Sequence, residues 1–217
     1  SLFDYVSPWQ TLRGLRVGML GRHQVMNAAL AVSAALLLRE RGWRIPIAAI
    51  RRGIATARMP GRLEIVQRAP TVVLDGAHNP EKMRSLAAAL TELFPDQKPV
   101  LVVGLLAAKQ ADSILREVVP LARQVIATTP HVLGKPAIAP QTLAELCRRL
   151  GKDVAVEADV PAAIERATQV AGRDGLVCVT GSLYMVGQAR GLWVPAADVA
   201  VQRTSFPLRP ASDAAAA

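Results

Sequence analysis

The chain has 217 residues, 51% of them apolar, and a net charge of +9 at pH 7. That is long enough for one domain, or one and part of a second, with enough apolar content to fill a core. The longest apolar run, residues 25–38, is broken by Asn27 and Ser33, too short for a bilayer span and too far into the chain for a signal peptide. A soluble cytoplasmic protein, with no membrane partner, is therefore expected.

The charge is uneven. Between Arg13 and Arg68 stand eleven arginines, no lysine, and only Glu40 and Glu64 as acids. Arginine alone suits bidentate binding of phosphate or carboxylate, and the competing role for these side chains is a solvated helical face. Charge by itself also fits nucleic acid. Aromatic residues at 4% are too few for base-stacking platforms, and no recognisable reading motif is present. Cys147 and Cys178 lie far apart in apolar patterns and are expected as buried thiols of a reducing compartment.

In chain order, LFDYV and LRGLRVGML read as short strands with nothing before them to pair with, as though a larger domain were ending. GRHQVMNAALAVSAALLLRERG follows, an Ala/Leu-rich helix with His23, Gln24 and Asn27 in its first turn. It is apolar nearly all round, which predicts burial, and Gly42 is its expected C′ residue. A second helix is expected over 46–57, stopping before Met59-Pro60-Gly61, the expected hinge.

From Arg62 onward strand and helix patterns alternate. Strands are predicted at 63–66, 71–74, 100–104, 124–128, 154–157 and 176–180, and helices at 81–94, 112–119, 142–150, 161–171 and 182–191. Apolar strands joined by helices call for an α/β fold, a doubly wound and mostly parallel sheet covered on both faces. The tail from 195 to 217 has no periodicity and is expected to be disordered.

One segment stands out, TVVLDGAHNP at 71–80. A buried strand runs into an acid, a turn glycine, a histidine and an Asn-Pro helix start, which places Asp75 and His78 at a strand's carboxyl end before a helix N-terminus. Open α/β sheets bind ligands at that edge. Gly181-Ser182 repeats the pattern at the last strand.

GRHQVMNAALA, MPGRLE, LDGAHNP and VTGSLYMVGQAR, in this order and at these separations, resemble the C-terminal half of the folylpolyglutamate synthase/dihydrofolate synthase family of Mur-ligase-like enzymes. The resemblance implies that residues 1–60 end a P-loop-type ATP-binding domain and that 61–194 form a Rossmann-like glutamate ligase domain. It implies an amide ligase that phosphorylates a carboxylate with ATP and Mg2+, then lets the amine of L-glutamate attack. Dihydropteroate or folate would be the acceptor, and the protein a monomer that binds no nucleic acid.

The same resemblance places Gln24 and Asn27 near the adenine, where amides offer donor and acceptor to a purine edge, with helix capping as their alternative. His23 is expected to order the turn. Arg62 would reach the ATP phosphates and offset charge on the transferring group. Asp75 would accept from the ribose hydroxyls, or else cap the next helix. His78 would bind or orient the γ-phosphate and glutamate, a satisfied loop histidine being its alternative. Ser182 would hydrogen-bond the glutamate, or act as an ordinary N-cap; Asn79 is expected to be a cap. Tyr184 is expected to pack, and Lys135 to be a solvated loop lysine.

No Gly-Lys-Ser/Thr phosphate loop is present, since Gly134-Lys135-Pro136 and Gly151-Lys152-Asp153 lack the hydroxyl residue. The metal ligands and folate loop are expected upstream, so this chain alone is expected to be inactive. The loop 105–110 departs from the family in lacking acids around its lysine. A cell-wall Mur ligase and a non-catalytic basic module that binds nucleic acid are the alternative readings.

Overall fold

A computed structural model describes residues 1–107 and 110–202. The chain divides into two compact units, Ser1–Met59 and Pro60–Ala217.

The first unit opens with a hairpin. Strands β1 (Leu2–Val6) and β2 (Thr11–Arg16) pair antiparallel with each other, so the pairing partner expected outside the segment is supplied within it. Ser7 closes the connection. Its N–H donates to the Gln10 carbonyl at 3.1 Å, its hydroxyl donates to the same oxygen at 3.0 Å, and its Oγ accepts the Gln10 N–H at 3.1 Å. Helices α1 (His23–Glu40) and α2 (Ile47–Thr56) follow. Gly42, at φ +89°, ends α1 with its N–H on the Arg39 carbonyl, the conformation a glycine adopts without Cβ strain.

The expectation that α1 is buried all round is corrected. Gln24, Ala28, Val32 and Leu36 form one buried stripe at four-residue spacing, whereas Met26 and Leu30 are 66% and 67% exposed. A hairpin and one other helix, packed as Leu12, Leu15, Ile50 and Ile54 against Val32 and Leu36, offer a single face to bury. Each large side chain so buried contributes about 1.5–3 kcal/mol.

The second unit is a six-stranded sheet in the order β3-β4-β8-β5-β6-β7. The strands are β3 (Glu64–Arg68), β4 (Thr71–Asp75), β5 (Val100–Val103), β6 (Gln124–Ala127), β7 (Val154–Val156) and β8 (Leu176–Thr180). All neighbours pair parallel except β3 and β4. Unbroken runs such as VLVV in β5 are buried at every residue, as a strand covered on both faces requires.

The connecting helices are α3 (Pro80–Leu93), α4 (Ala111–Val118), α5 (Pro140–Arg149) and α6 (Val160–Ala171), with α7 (Leu183–Arg190) after β8. Right-handed crossovers put the helices that lead from β4 toward β7 on one face and the returning α6 on the other. Alternate residues of β8 record this. Val177 and Val179 pack in the cluster with Val160, Ile164, Met185 and Val186 of α6 and α7, while the Thr180 hydroxyl points to the Met83 sulfur of α3 at 3.9 Å. The chain therefore leaves neighbouring strands β4 and β8 toward opposite faces, the topological switch point at whose carboxyl ends open α/β sheets bind ligands.

The tail is corrected at its start. Residues Ala196–Gln202 form helix α8, with the Asp198 N–H on the Pro195 carbonyl at 3.0 Å; the alanines after Pro195 favour helix without needing an apolar period. The rest of the expected disordered tail, 203–217, lies outside the described residues, as do Ala108 and Lys109 of the 105–110 loop.

Candidate active site

The carboxyl ends of β4 and β8 carry two tight turns, and a third precedes β3. Asp75 pairs with Thr180 across the parallel ladder, so the segments 76–79 and 181–182 emerge side by side. The Gly181 N–H donates to the Ala77 carbonyl at 3.0 Å and ties the two together. Gly181 sits at φ +113°, and a Cβ there would lie 2.4 Å from the Gly104 carbonyl oxygen. Gly76 packs closely as well, since a Cβ there would stand 2.2 Å from Leu183 Cδ2 of α7 and would have to displace that side chain.

Arg62 lies on the third turn, residues 61–64. Because β3 runs antiparallel to β4, with Glu64 opposite Leu74, this turn stands beside Asp75 at the same edge. The Gly76 N–H donates to the Gly61 carbonyl at 2.8 Å. Arg62 is half-buried, and its guanidinium has no hydrogen bond or ion pair among the described residues. The next residue, Leu63, is 2% exposed and takes φ +45°, a conformation that costs a non-glycine residue about 1–2 kcal/mol.

Asp75 is what holds that conformation. It is 6% exposed; its Oδ2 accepts the Leu63 N–H at 2.9 Å and its Oδ1 accepts the Ala77 N–H at 2.8 Å. One buried carboxylate thus fixes both the turn that carries Arg62 and the turn that carries His78. The sequence suggested a capping role before α3 as the alternative to ribose binding. The cap of α3 is instead Asn79, whose Oδ1 accepts the Lys82 N–H at 2.8 Å, with Pro80 in the first turn.

His78 is exposed. Its Nδ1 lies 2.7 Å from the Gly76 carbonyl, and since a carbonyl only accepts, Nδ1 carries the hydrogen. Nε2 faces outward, 3.4 Å from the Lys82 ammonium. Lys82 was not singled out in the sequence; the signal was its place four residues after His78, where the first turn of α3 brings the two together.

Ser182 is buried, and its Oγ accepts the Tyr184 N–H at 3.2 Å as the N-cap of α7. Tyr184 is exposed and pairs with Lys135, whose ammonium bonds the phenol and stands 4.5 Å from the ring centroid. The loop that carries Lys135 is fastened to α7 by Gln188, which donates to the His131 carbonyl at 2.6 Å and accepts its N–H at 3.3 Å. Lys135 is thus an exposed loop lysine, as expected, whose ammonium also meets Tyr184.

In the first unit, Gln24 and Asn27 form a short relay. The Gln24 Nε2 lies 3.0 Å from His23 Nε2, and the Asn27 Nδ2 donates to Gln24 Oε1 at 3.0 Å. Neither side chain caps α1, whose N-cap residue, Arg22, makes no side-chain cap bond. Gln24 is buried and Asn27 exposed. No group of three or more His, Cys, Asp or Glu among the described residues is placed to hold a metal ion. Cys147 and Cys178 are buried and free.

Fold and edge together define a doubly wound α/β domain with an arginine, a histidine and two glycine turns gathered at the end where such sheets take their ligands. The chain belongs to the Mur ligase family: the family described as "Mur ligase, glutamate ligase domain" matches residues 61–183. Over 88% of its length it is 36% identical to a probable bifunctional folylpolyglutamate synthase/dihydropteroate synthase of Haloferax volcanii, and covers 22% of that protein. It superposes on the Mycobacterium tuberculosis folylpolyglutamate synthase complexed with ADP and AMPPCP with a TM-score of 0.75 and 29% identity, over 89% of this chain and 47% of that one. A bifunctional folylpolyglutamate synthase/dihydrofolate synthase of Yersinia pestis, complexed with AMPPNP and Mn ion, gives a TM-score of 0.72 at 26% identity over 86% and 42%. The chain thus spans less than half the length of these relatives. Among the described residues no helix is long and apolar enough to cross a membrane.

Proposed function

We propose that this chain is the C-terminal portion of an ATP-dependent ligase that adds L-glutamate to dihydropteroate, to folates, or to both. The observation that carries this reading is Arg62, a cation without a partner among the described residues, set by a strained and hydrogen-bonded turn at the sheet's ligand edge. A guanidinium held in advance of the reaction stabilises charge on a transferring phosphoryl group without reorganising.

In the proposed reaction the acceptor carboxylate attacks the γ-phosphorus and ADP departs. The glutamate amine then attacks the acyl carbon and phosphate departs. Arg62 binds the phosphate oxygens through both steps. His78, with its Nδ1–H fixed on Gly76, presents Nε2 as an acceptor to the glutamate amine and so helps orient glutamate against the γ-phosphate. Ser182 holds the first turn of α7, and we assign it also a hydrogen bond to the glutamate. Asp75 serves chiefly as the brace of the Arg62 and His78 turns, and its carboxylate is also the acceptor we assign to a ribose hydroxyl. From the first unit, Asn27 and Gln24 are the amides for the purine edge. ATP requires Mg2+, and we assign its ligands to the part of the ligase upstream of this chain. Relatives matched over most of the chain carry folate-enzyme names, which favours this reading over a cell-wall ligase.

The test is steady-state kinetics of the complete ligase with Arg62→Ala. We expect kcat to fall on the order of 100-fold or more, with folate KM little changed. An unchanged kcat removes Arg62 from the site and the reading with it.

A further inference from the structure

We infer that Glu64 and Arg190 form a positioning pair that sets the orientation of Arg62, an inference that rests on Arg62 being the phosphate-binding cation. The Arg190 side chain, 9% exposed at the end of α7, donates from Nε to both Glu64 oxygens at 2.8 and 3.0 Å. Glu64 Oε2 in turn accepts the Gly61 N–H at 2.8 Å. A carboxylate at one end of the four-residue turn thus closes on its other end, with Arg62 between.

The turn is pinned at each flank and free at its tip. The Gly61 N–H goes to Glu64, the Gly61 carbonyl takes the Gly76 N–H, and the Leu63 N–H goes to Asp75. Helix α7 presses on the same place, since a Cβ on Gly61 would stand 2.7 Å from Val186 Cγ1. Helix α7 therefore links Ser182, at its start, to the Arg62 turn through Arg190, at its end.

A buried ion pair is poor at stabilising a fold, because desolvation offsets its attraction and an apolar pair of similar volume serves as well or better. What an apolar pair does not supply is a fixed acceptor for the Gly61 N–H. Glu64, immobilised by Arg190, supplies it. The pair is assigned a role that acts through Arg62.

The test replaces the pair as a whole. In Glu64→Leu/Arg190→Met, apolar side chains fill the space, which offsets much of the cost of leaving the Gly61 N–H without its acceptor, and the fold is expected to be kept. Amide hydrogen exchange on this chain is expected to quicken at Gly61 at least tenfold while Val177 and Val179 stay protected. In the complete ligase the double variant should lower kcat on the order of 10- to 100-fold with folate KM unchanged. Added to Arg62→Ala it should lower kcat no further. Glu64→Gln, which keeps an oxygen for Gly61, should retain its protection; this variant decides the matter if the double variant does not fold.

Three results for the double variant overturn the inference while leaving the role of Arg62 intact: wild-type exchange at Gly61, wild-type kcat, or an additive loss with Arg62→Ala. Loss of Gly61 protection in Glu64→Gln equal to global unfolding overturns it as well. An Arg62→Ala ligase with normal kcat overturns the underlying reading instead.

Discussion

Asp75 does more with one carboxylate than its place in LDGAHNP suggested. Two backbone N–H groups depend on it, and leaving buried donors unsatisfied costs about 1–3 kcal/mol each. Asp75→Ala is therefore expected to lower stability by about 2–6 kcal/mol, read from a urea midpoint, and to weaken ATP binding by the complete ligase. Normal stability in that variant would show that water replaces the carboxylate. The cysteines give a second residue-scale expectation. Burial pushes the Cys147 thiol up to about 11 from 9.0, with the Arg148 charge pulling the other way, and burial followed by the Asp75 charge raises Cys178. A raised folded-state value means that the unfolded chain ionises first as pH climbs. The contribution of Cys147 is thus whole below pH 9 and is lost progressively from there to about pH 11. Thermal melts should show an alkaline decline over that window, which Cys147→Ala makes shallower; iodoacetamide at about pH 8, below the ordinary thiol range, should leave both thiols unmodified unless the chain is unfolded.

At the scale of elements, the three turns at the ligand edge are set by contacts that no single element contains. Gly181→Ala should lower stability by roughly 1–3 kcal/mol in a urea titration, because its Cβ meets the Gly104 backbone oxygen, which has no rotamer to relieve it. Gly187, with nothing within 4 Å of its Cβ position, is the control, and alanine there in mid-helix should be neutral or stabilising. Much of this layer was legible beforehand. Strand β8 matches its predicted span, and α3 and α4 fall within one residue of theirs, because buried runs and Asn-Pro starts are local signals. The hairpin β1–β2 was half legible: its strands could be read, but pairing depends on the Ser7 turn. The one-sided burial of α1 was not legible, since its composition gives no face and only neighbouring elements choose one.

Across the whole molecule the charge is concentrated in the first unit, where nine arginines and no lysine face two acids, Asp4 and Glu40. Such a surface attracts polyanions without regard to the ligand edge of the second unit. Retention on a heparin resin should fall steeply with salt and be shared by wild type and Asp75→Ala. A shallow salt dependence would show that this charge does not act as a polyanion surface. The sequence by itself determined the α/β alternation and the two glycine turns that carry Asp75, His78 and Ser182, because periodicity and turn chemistry act over a few neighbouring residues; Arg62 was singled out only by the family resemblance. Tertiary structure alone decided what each of these touches. The brace of Asp75 on Leu63 crosses twelve positions and the Glu64–Arg190 pair crosses 126, and hydrogen bonds that long in sequence exist only once the sheet has brought their ends to one edge.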